Sequence, residues 1–176
     1  MKLGLFTPVF GGLDVTQMIA KVSALGKVQA LEIGTGGWPG NGHLDMESLL
    51  KNPRQLADYR AMIADAGLTI SALSCHGNPL HPDADLARSY DDVFRKTVCL
   101  AHQMEVPVVV TFSGCPGDSE GARHPNWVPT PWPPGIPGGH DRQWDKKPVP
   151  SGPRADAFFA NTGATLRWCA CSCLLR

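Results

Sequence analysis

At 176 residues the chain has the length of one ordinary domain. Its 16 basic residues balance its 16 acidic ones, which leaves no electrostatic footprint for nucleic acid. No apolar run approaches the ~18 residues of a membrane span, and the stretch from Met1 to Phe6 is too short for a signal peptide, so no membrane partner is expected and a cytoplasmic location is.

Residues 2–8 read as a short first strand, turned by Gly11-Gly12. Asp14 with Gln17 makes a capping box, and Val15, Met18, Ile19, Val22 and Leu25 follow at helical spacing before Gly26. Residues 28–34 predict a second strand that opens into the glycine-rich loop 35–43. Asn52-Pro53 starts the next helix, with asparagine as cap and proline in the first turn; Leu56, Tyr59, Ile63 and Ala66 form its apolar stripe. Residues 68–74 predict a buried third strand running into the polar turn 75–82, which carries His76 and His81. Asp83 or Asp85 caps a third helix whose inner face is marked by Leu86, Tyr90, Val93, Phe94, Val98, Ala101 and Met104. Residues 106–114 predict a fourth strand, with Pro107 tolerable near its start.

Strands alternating with helices over short joins predict an α/β fold with a parallel sheet covered by helices. Periodicity leaves the (β/α)8 barrel and the doubly wound sheet both open. No strand–helix join carries a Gly-x-Gly-x-x-Gly turn; at Thr35-Gly36-Gly37-Trp38 a Trp-Pro stands where a helix N-terminus would be needed, which argues against a dinucleotide site. Beyond Gly114 the pattern fails. Residues 115–154 are crowded with proline and glycine around Trp127, Trp132 and Trp144, and only a strand candidate within 164–176 follows. The six cysteines fall singly at Cys75, Cys99 and Cys115 and crowd at Cys169, Cys171 and Cys173, which is not the spacing of a disulfide framework. Thiolates two residues apart with no histidine nearby do not make a zinc site either.

Phe6-Thr-Pro8, residues 31–37 with Pro39-Gly-Asn41, residues 71–82, Val93-Phe-Arg-Lys-Thr97 and residues 111–117 together resemble the sugar phosphate isomerase/epimerase family. The resemblance runs through residue 134 and implies a xylose isomerase-like TIM barrel, present here as its first four βα units. It also implies a sugar or sugar phosphate substrate and a divalent metal (Mn, Mg, Co or Zn) that polarises a sugar carbonyl, with two glutamates moving a proton at the adjacent carbon through an enediolate. Those ligands belong to later strands, so no residue here is assigned as metal ligand or catalytic group, and the chain alone is not expected to bind the metal. Where the family carries a fifth-strand glutamate, this sequence has Leu166-Arg-Trp-Cys-Ala170. Residues 143–147 and 154–158 look like pieces of the helix after the fourth strand, interrupted by the proline-rich 148–153. The expectation is a half barrel over 1–134 and an irregular tail over 135–176, truncated or read in a shifted frame.

Four residues are candidates for binding substrate. His76 stands at the carboxyl end of a buried strand, where barrel enzymes keep their chemistry; it either meets a substrate hydroxyl or fixes the turn. Glu32 lies in an apolar strand, where a carboxylate needs a partner or a function; it either orients a substrate hydroxyl or braces a neighbouring strand. Ser113 leaves the fourth strand, together with Cys115 and Asp118, and Trp127 with Trp132 can wall a sugar face. His81, between two prolines, is expected to be solvent-facing structure. Asp45 is expected to cap a helix rather than join His43 on a metal, and Cys115 lacks a base partner for nucleophilic work. Two readings remain: a sugar isomerase/epimerase, or a half-barrel remnant without the metal ligands, self-associating through its exposed edges.

Overall fold

The four predicted strands are present as β1 (Gly4–Phe6), β2 (Ala30–Gly34), β3 (Thr69–Ser74) and β4 (Val108–Thr111), all parallel and in sequence order. This computed structural model describes residues 2–125 and the backbone of 165–168. The strand candidate in the tail is β5 (Thr165–Trp168), which pairs in parallel with β4, Val109 opposite Leu166 and Val110 opposite Arg167. β1 and β5 are the outer strands of the described sheet. Between the strands run α1 (Val15–Ala24), α2 (Met46–Lys51), α3 (Pro53–Asp65) and α4 (Ala84–Met104). None of the described helices is long and apolar enough to cross a membrane.

The helix starts follow local chemistry. Gln17 N–H donates to Asp14 Oδ1 at 2.8 Å while Asp14 N–H donates to Gln17 Oε1 at 3.1 Å, the reciprocal bonds of a capping box. Asn52 Oδ1 accepts from the N–H groups of Arg54 and Gln55, and Asp83 Oδ1 from those of Asp85 and Leu86. Each cap of this kind is worth about 1 kcal/mol.

Register then sorts the two faces of the sheet. Leu31, Ile33, Leu73 and Val109 lie on one face and join Met18, Val22, Ile63, Val98 and Ala101 of the helices in a single core. Glu32, Gly34, Ala72, Ser74 and Val110 occupy the alternate positions and so share the other face. This alternation is what sets a carboxylate apart from the apolar residues on either side of it.

Three expectations need correction. β1 stops at Phe6 because Thr7-Pro8 enters a 3-10 turn (Thr7–Phe10). β4 begins only at Val108, because the Val106 N–H is already used by the Ala101 carbonyl at the end of α4. Leu86, expected on the inner face of α4, is 44% exposed, since the first turns of this 21-residue helix reach past the core. His81, only partly buried, has the structural role expected of it: its Nδ1 accepts from the Asp83 N–H at 3.0 Å in the turn before α4.

Candidate functional site

Three segments that leave the strands at their carboxyl ends are tied together by backbone. The loop after β2 is bound to the segment after β3 by Trp38 N–H donating to the His76 carbonyl at 2.7 Å. Gly37 lies at φ +67°, and a Cβ there would overlap the same His76 carbonyl. Only glycine meets both demands. Replacing Gly37 with alanine is therefore expected to cost about 1–2 kcal/mol from the left-handed backbone alone, plus displacement of the loop. Urea unfolding with an unchanged m-value measures the cost, and a stability equal to that of the unsubstituted protein would contradict it.

The segment after β4 is held by Asn78, which is 1% exposed. Its Oδ1 accepts from the N–H groups of Cys115 (2.7 Å) and Leu80 (3.2 Å), and its Nδ2 donates to the Cys115 carbonyl at 2.8 Å. Deeper down, the Thr35 hydroxyl meets that of Thr97 at 2.7 Å and lies 3.1 Å from the Ser74 carbonyl, which links the end of β2 to β3 and α4.

Glu32 and His76 are held by the scaffold so formed, within electrostatic reach of one another. Glu32 stands in register with Phe6 and Ala72, and its carboxylate accepts from the Ser74 hydroxyl on β3. The carboxylate is thus tied to the neighbouring strand through a hydroxyl, not through the backbone or a basic side chain. The Phe6 ring packs edge-on to the His76 ring with centroids 5.9 Å apart, and the Phe112 ring stacks on its face at 4.5 Å. Trp38 tilts against Phe112 at 5.2 Å and lies edge-on to Tyr90 at 6.4 Å. Among these rings His76 Nε2 is buried and has no hydrogen-bond partner among the described residues. Burial pushes the His76 imidazole below its ordinary pKa, an effect partly opposed by the nearby Glu32 carboxylate. An imidazole whose uncharged form is favoured by burial, with one ring nitrogen unmatched among the described residues and a carboxylate within electrostatic reach, suits a ligand that brings hydroxyl groups.

The remaining candidates divide. Ser113 is half-buried directly after Phe112, at the exit of β4. Trp127 and Trp132 lie outside the described residues. Cys115 is buried by the Asn78 bridge. His43 is 4% exposed, with Nε2 3.2 Å from the Phe10 carbonyl, and Asp45 caps α2 by accepting from the Ser48 N–H. A hollow of about 620 Å³ lies beside them, also lined by Asp14, Asp58 and Tyr59. Phe6, Phe112, Trp38 and Tyr90 carry no signal as site residues in the sequence, where aromatics at such positions read as core or loop.

Among the described residues no three His, Cys, Asp or Glu side chains gather so as to hold a metal ion. Glu32 and His76 offer two donors, fewer than the three or more protein ligands a divalent site ordinarily uses. The described residues therefore do not compose the metal site that the family resemblance implies, and no chemical step is routed through one.

A parallel sheet in sequence order, with helices between its strands, is a partial (β/α)8 barrel. Solved structures of that fold match it over about half their length. A D-psicose 3-epimerase from Clostridium cellulolyticum is 18% identical, with 94% of this chain matched to 51% of that one at a TM-score of 0.52. A sugar phosphate isomerase/epimerase from Parabacteroides distasonis is also 18% identical, with 95% matched to 50% at 0.53. The probable 3-DHS dehydratase AsbF of Bacillus anthracis is 15% identical, with 96% matched to 52% at 0.58. In sequence, the uncharacterised protein YfiH of Bacillus subtilis is 32% identical over 152 residues, which make up 85% of this chain and 48% of YfiH. The chain thus spans about half the length of the curated relative it matches. No family model matches it.

Proposed function

We propose that this chain is the sugar-binding N-terminal portion of a sugar isomerase or epimerase, in which a proton moves at the carbon beside a sugar carbonyl. The observation that carries this reading is the placement of the Glu32 carboxylate within electrostatic reach of His76, whose buried Nε2 is unmatched among the described residues and whose ring lies against those of Phe6 and Phe112. Fold alone does not decide the reaction, since a probable dehydratase is equally similar. The pairing of hydroxyl-seeking groups with aromatic faces favours a sugar. Glu32 accepts from a sugar hydroxyl while Ser74 holds the carboxylate in place, and His76 meets a second hydroxyl through Nε2. Ser113 extends the contact from beyond β4, and Trp127 is a candidate from the sequence alone. The second reading, binding without turnover, is favoured by the two-donor limit of the described residues.

Calorimetric titration with ketohexoses and their phosphates, with and without Mn2+, tests binding. Exchange of the substrate proton beside the carbonyl with solvent deuterium tests turnover. Binding is expected, and Glu32→Gln should weaken it about tenfold, the loss of one charge-assisted hydrogen bond. Binding without exchange selects the second reading. No binding of any of these sugars under either condition would overturn both.

A further inference from the structure

One residue of the sheet is surplus to its core. Between β2 and β3, Leu31 stands opposite Ile70 but Glu32 stands opposite Ala72, so Ser71 is the extra residue of a β-bulge. Leu31, Ile33 and Leu73 belong to the core, and Ile70 packs against it. Without Ser71 the run Ile70, Ala72, Leu73, Ser74 would alternate between the two faces of the sheet, against the same partners on β2. Ser71 is itself exposed, and its hydroxyl donates to the Leu31 carbonyl at 3.0 Å. A bulge interrupts the ladder, a cost that the core gives no reason to accept. Its effect is local: the strand bends and its right-handed twist increases. It falls at the register position of Glu32, and there the contact that matters is diagonal. Glu32 lies opposite Ala72 and Ser74 opposite Gly34, yet the Ser74 hydroxyl donates to the Glu32 carboxylate. Diagonal neighbours stand farther apart than direct ones, so the local twist decides whether they meet.

We propose that the Ser71 bulge is a positioning device for the sugar-binding site: it bends β3 so that the Ser74 hydroxyl holds the Glu32 carboxylate in the orientation that accepts a sugar hydroxyl. The proposal rests on the sugar-binding reading above and adds to it a positioning residue, Ser71, which acts through Ser74. The Ser71 hydroxyl, bonded to the Leu31 carbonyl, keeps the extra residue in place. A carboxylate that is already oriented loses little freedom on binding, so more of its bond to the ligand appears in the affinity.

The test compares deletion of Ser71, Ser71→Ala, Ser74→Ala, and the deletion combined with Ser74→Ala. Cross-strand nuclear Overhauser contacts show whether Glu32 still pairs with Ala72 after the deletion. The pairing is expected to persist with the urea midpoint unchanged or raised, since the alternation of the core is kept and the ladder is made continuous. The side-chain contact between Ser74 and Glu32 should disappear, and calorimetric titration should show a ketohexose bound about fivefold more weakly. Ser74→Ala should weaken it by a similar factor and the combined variant no further, because both changes free the same carboxylate. Ser71→Ala keeps the extra residue and removes only its bond to Leu31, so its loss should be smaller than that of the deletion. A deletion variant that is destabilised or pairs differently would show that the extra residue serves the sheet, and would overturn the proposal. So would a Ser74–Glu32 contact that survives the deletion, an unchanged affinity, or losses that add in the combined variant; each of these leaves the sugar-binding reading standing. Failure of the unsubstituted protein to bind any sugar would overturn that reading and, with it, the role of the bulge in binding.

Discussion

Replacing Asn78 with alanine is expected to destabilise the chain by about 2–5 kcal/mol, a large share of the 5–15 kcal/mol that a domain has. The side chain is nearly inaccessible and uses both its ends: Oδ1 takes two N–H groups and Nδ2 gives to a carbonyl. Alanine takes the Asn78 hydrogen bonds from the Cys115 N–H and carbonyl in a site that is itself buried, each loss costing about 1–3 kcal/mol. Asn78→Asp should fall between the two, because its carboxylate still accepts from Cys115 and Leu80 but now confronts the Cys115 carbonyl. Urea denaturation of the three proteins measures the series. Hydrogen exchange should place the early opening at residues 112–118, which Asn78 fastens to the turn after β3. Asn78→Ala with unfolding indistinguishable from the unsubstituted chain would show that the bridge contributes nothing.

Asn78 also marks the limit of what the amino-acid sequence discloses. Asn-Pro after a strand reads as a turn, and it is one, but its partner Cys115 is 37 residues away and no local pattern points there. The elements whose causes are local were legible: the Asp14–Gln17 box, the Asn52-Pro53 helix start, the Asp83 cap, and strands made of consecutive apolar residues. α2 was not, since six residues are too few to show a helical period, although its cap Asp45 was recognised as one. The shared rim of Glu32 and His76 was legible because both stand near strand ends in a parallel sheet, a placement that topology alone guarantees. The ring cluster was not. Trp38 meets Tyr90 across 52 residues, and in the sequence it registers only as an obstacle to a phosphate turn. Conversely, the aromatic wall was sought in Trp127 and Trp132, because tryptophans in a proline-rich stretch stand out by composition.

His76 carries the sharpest consequence, because its two properties pull in opposite directions. A buried ring nitrogen with no partner among the described residues costs stability, and in the proposed site the same atom is the one that would take a hydroxyl. His76→Phe keeps a ring between Phe6 and Phe112 and removes the unmatched atom. It is expected to raise the urea midpoint while weakening sugar binding about 10- to 100-fold, as a sugar hydroxyl loses its partner inside the site. The pH dependence supplies an independent check. Burial lowers the folded pKa of His76 below the ordinary 6.5, so the unfolded chain binds a proton more readily than the folded one. The stability linked to this group is thus fully present above about pH 6.5 and is lost as pH falls through the folded value. Between those limits the unsubstituted protein should lose stability more steeply than His76→Phe, by up to one proton in the slope. Parallel acid limbs would mean that the imidazole is not desolvated in the folded chain, and a lowered midpoint in His76→Phe would mean that Nε2 has a partner which phenylalanine deprives of its bond.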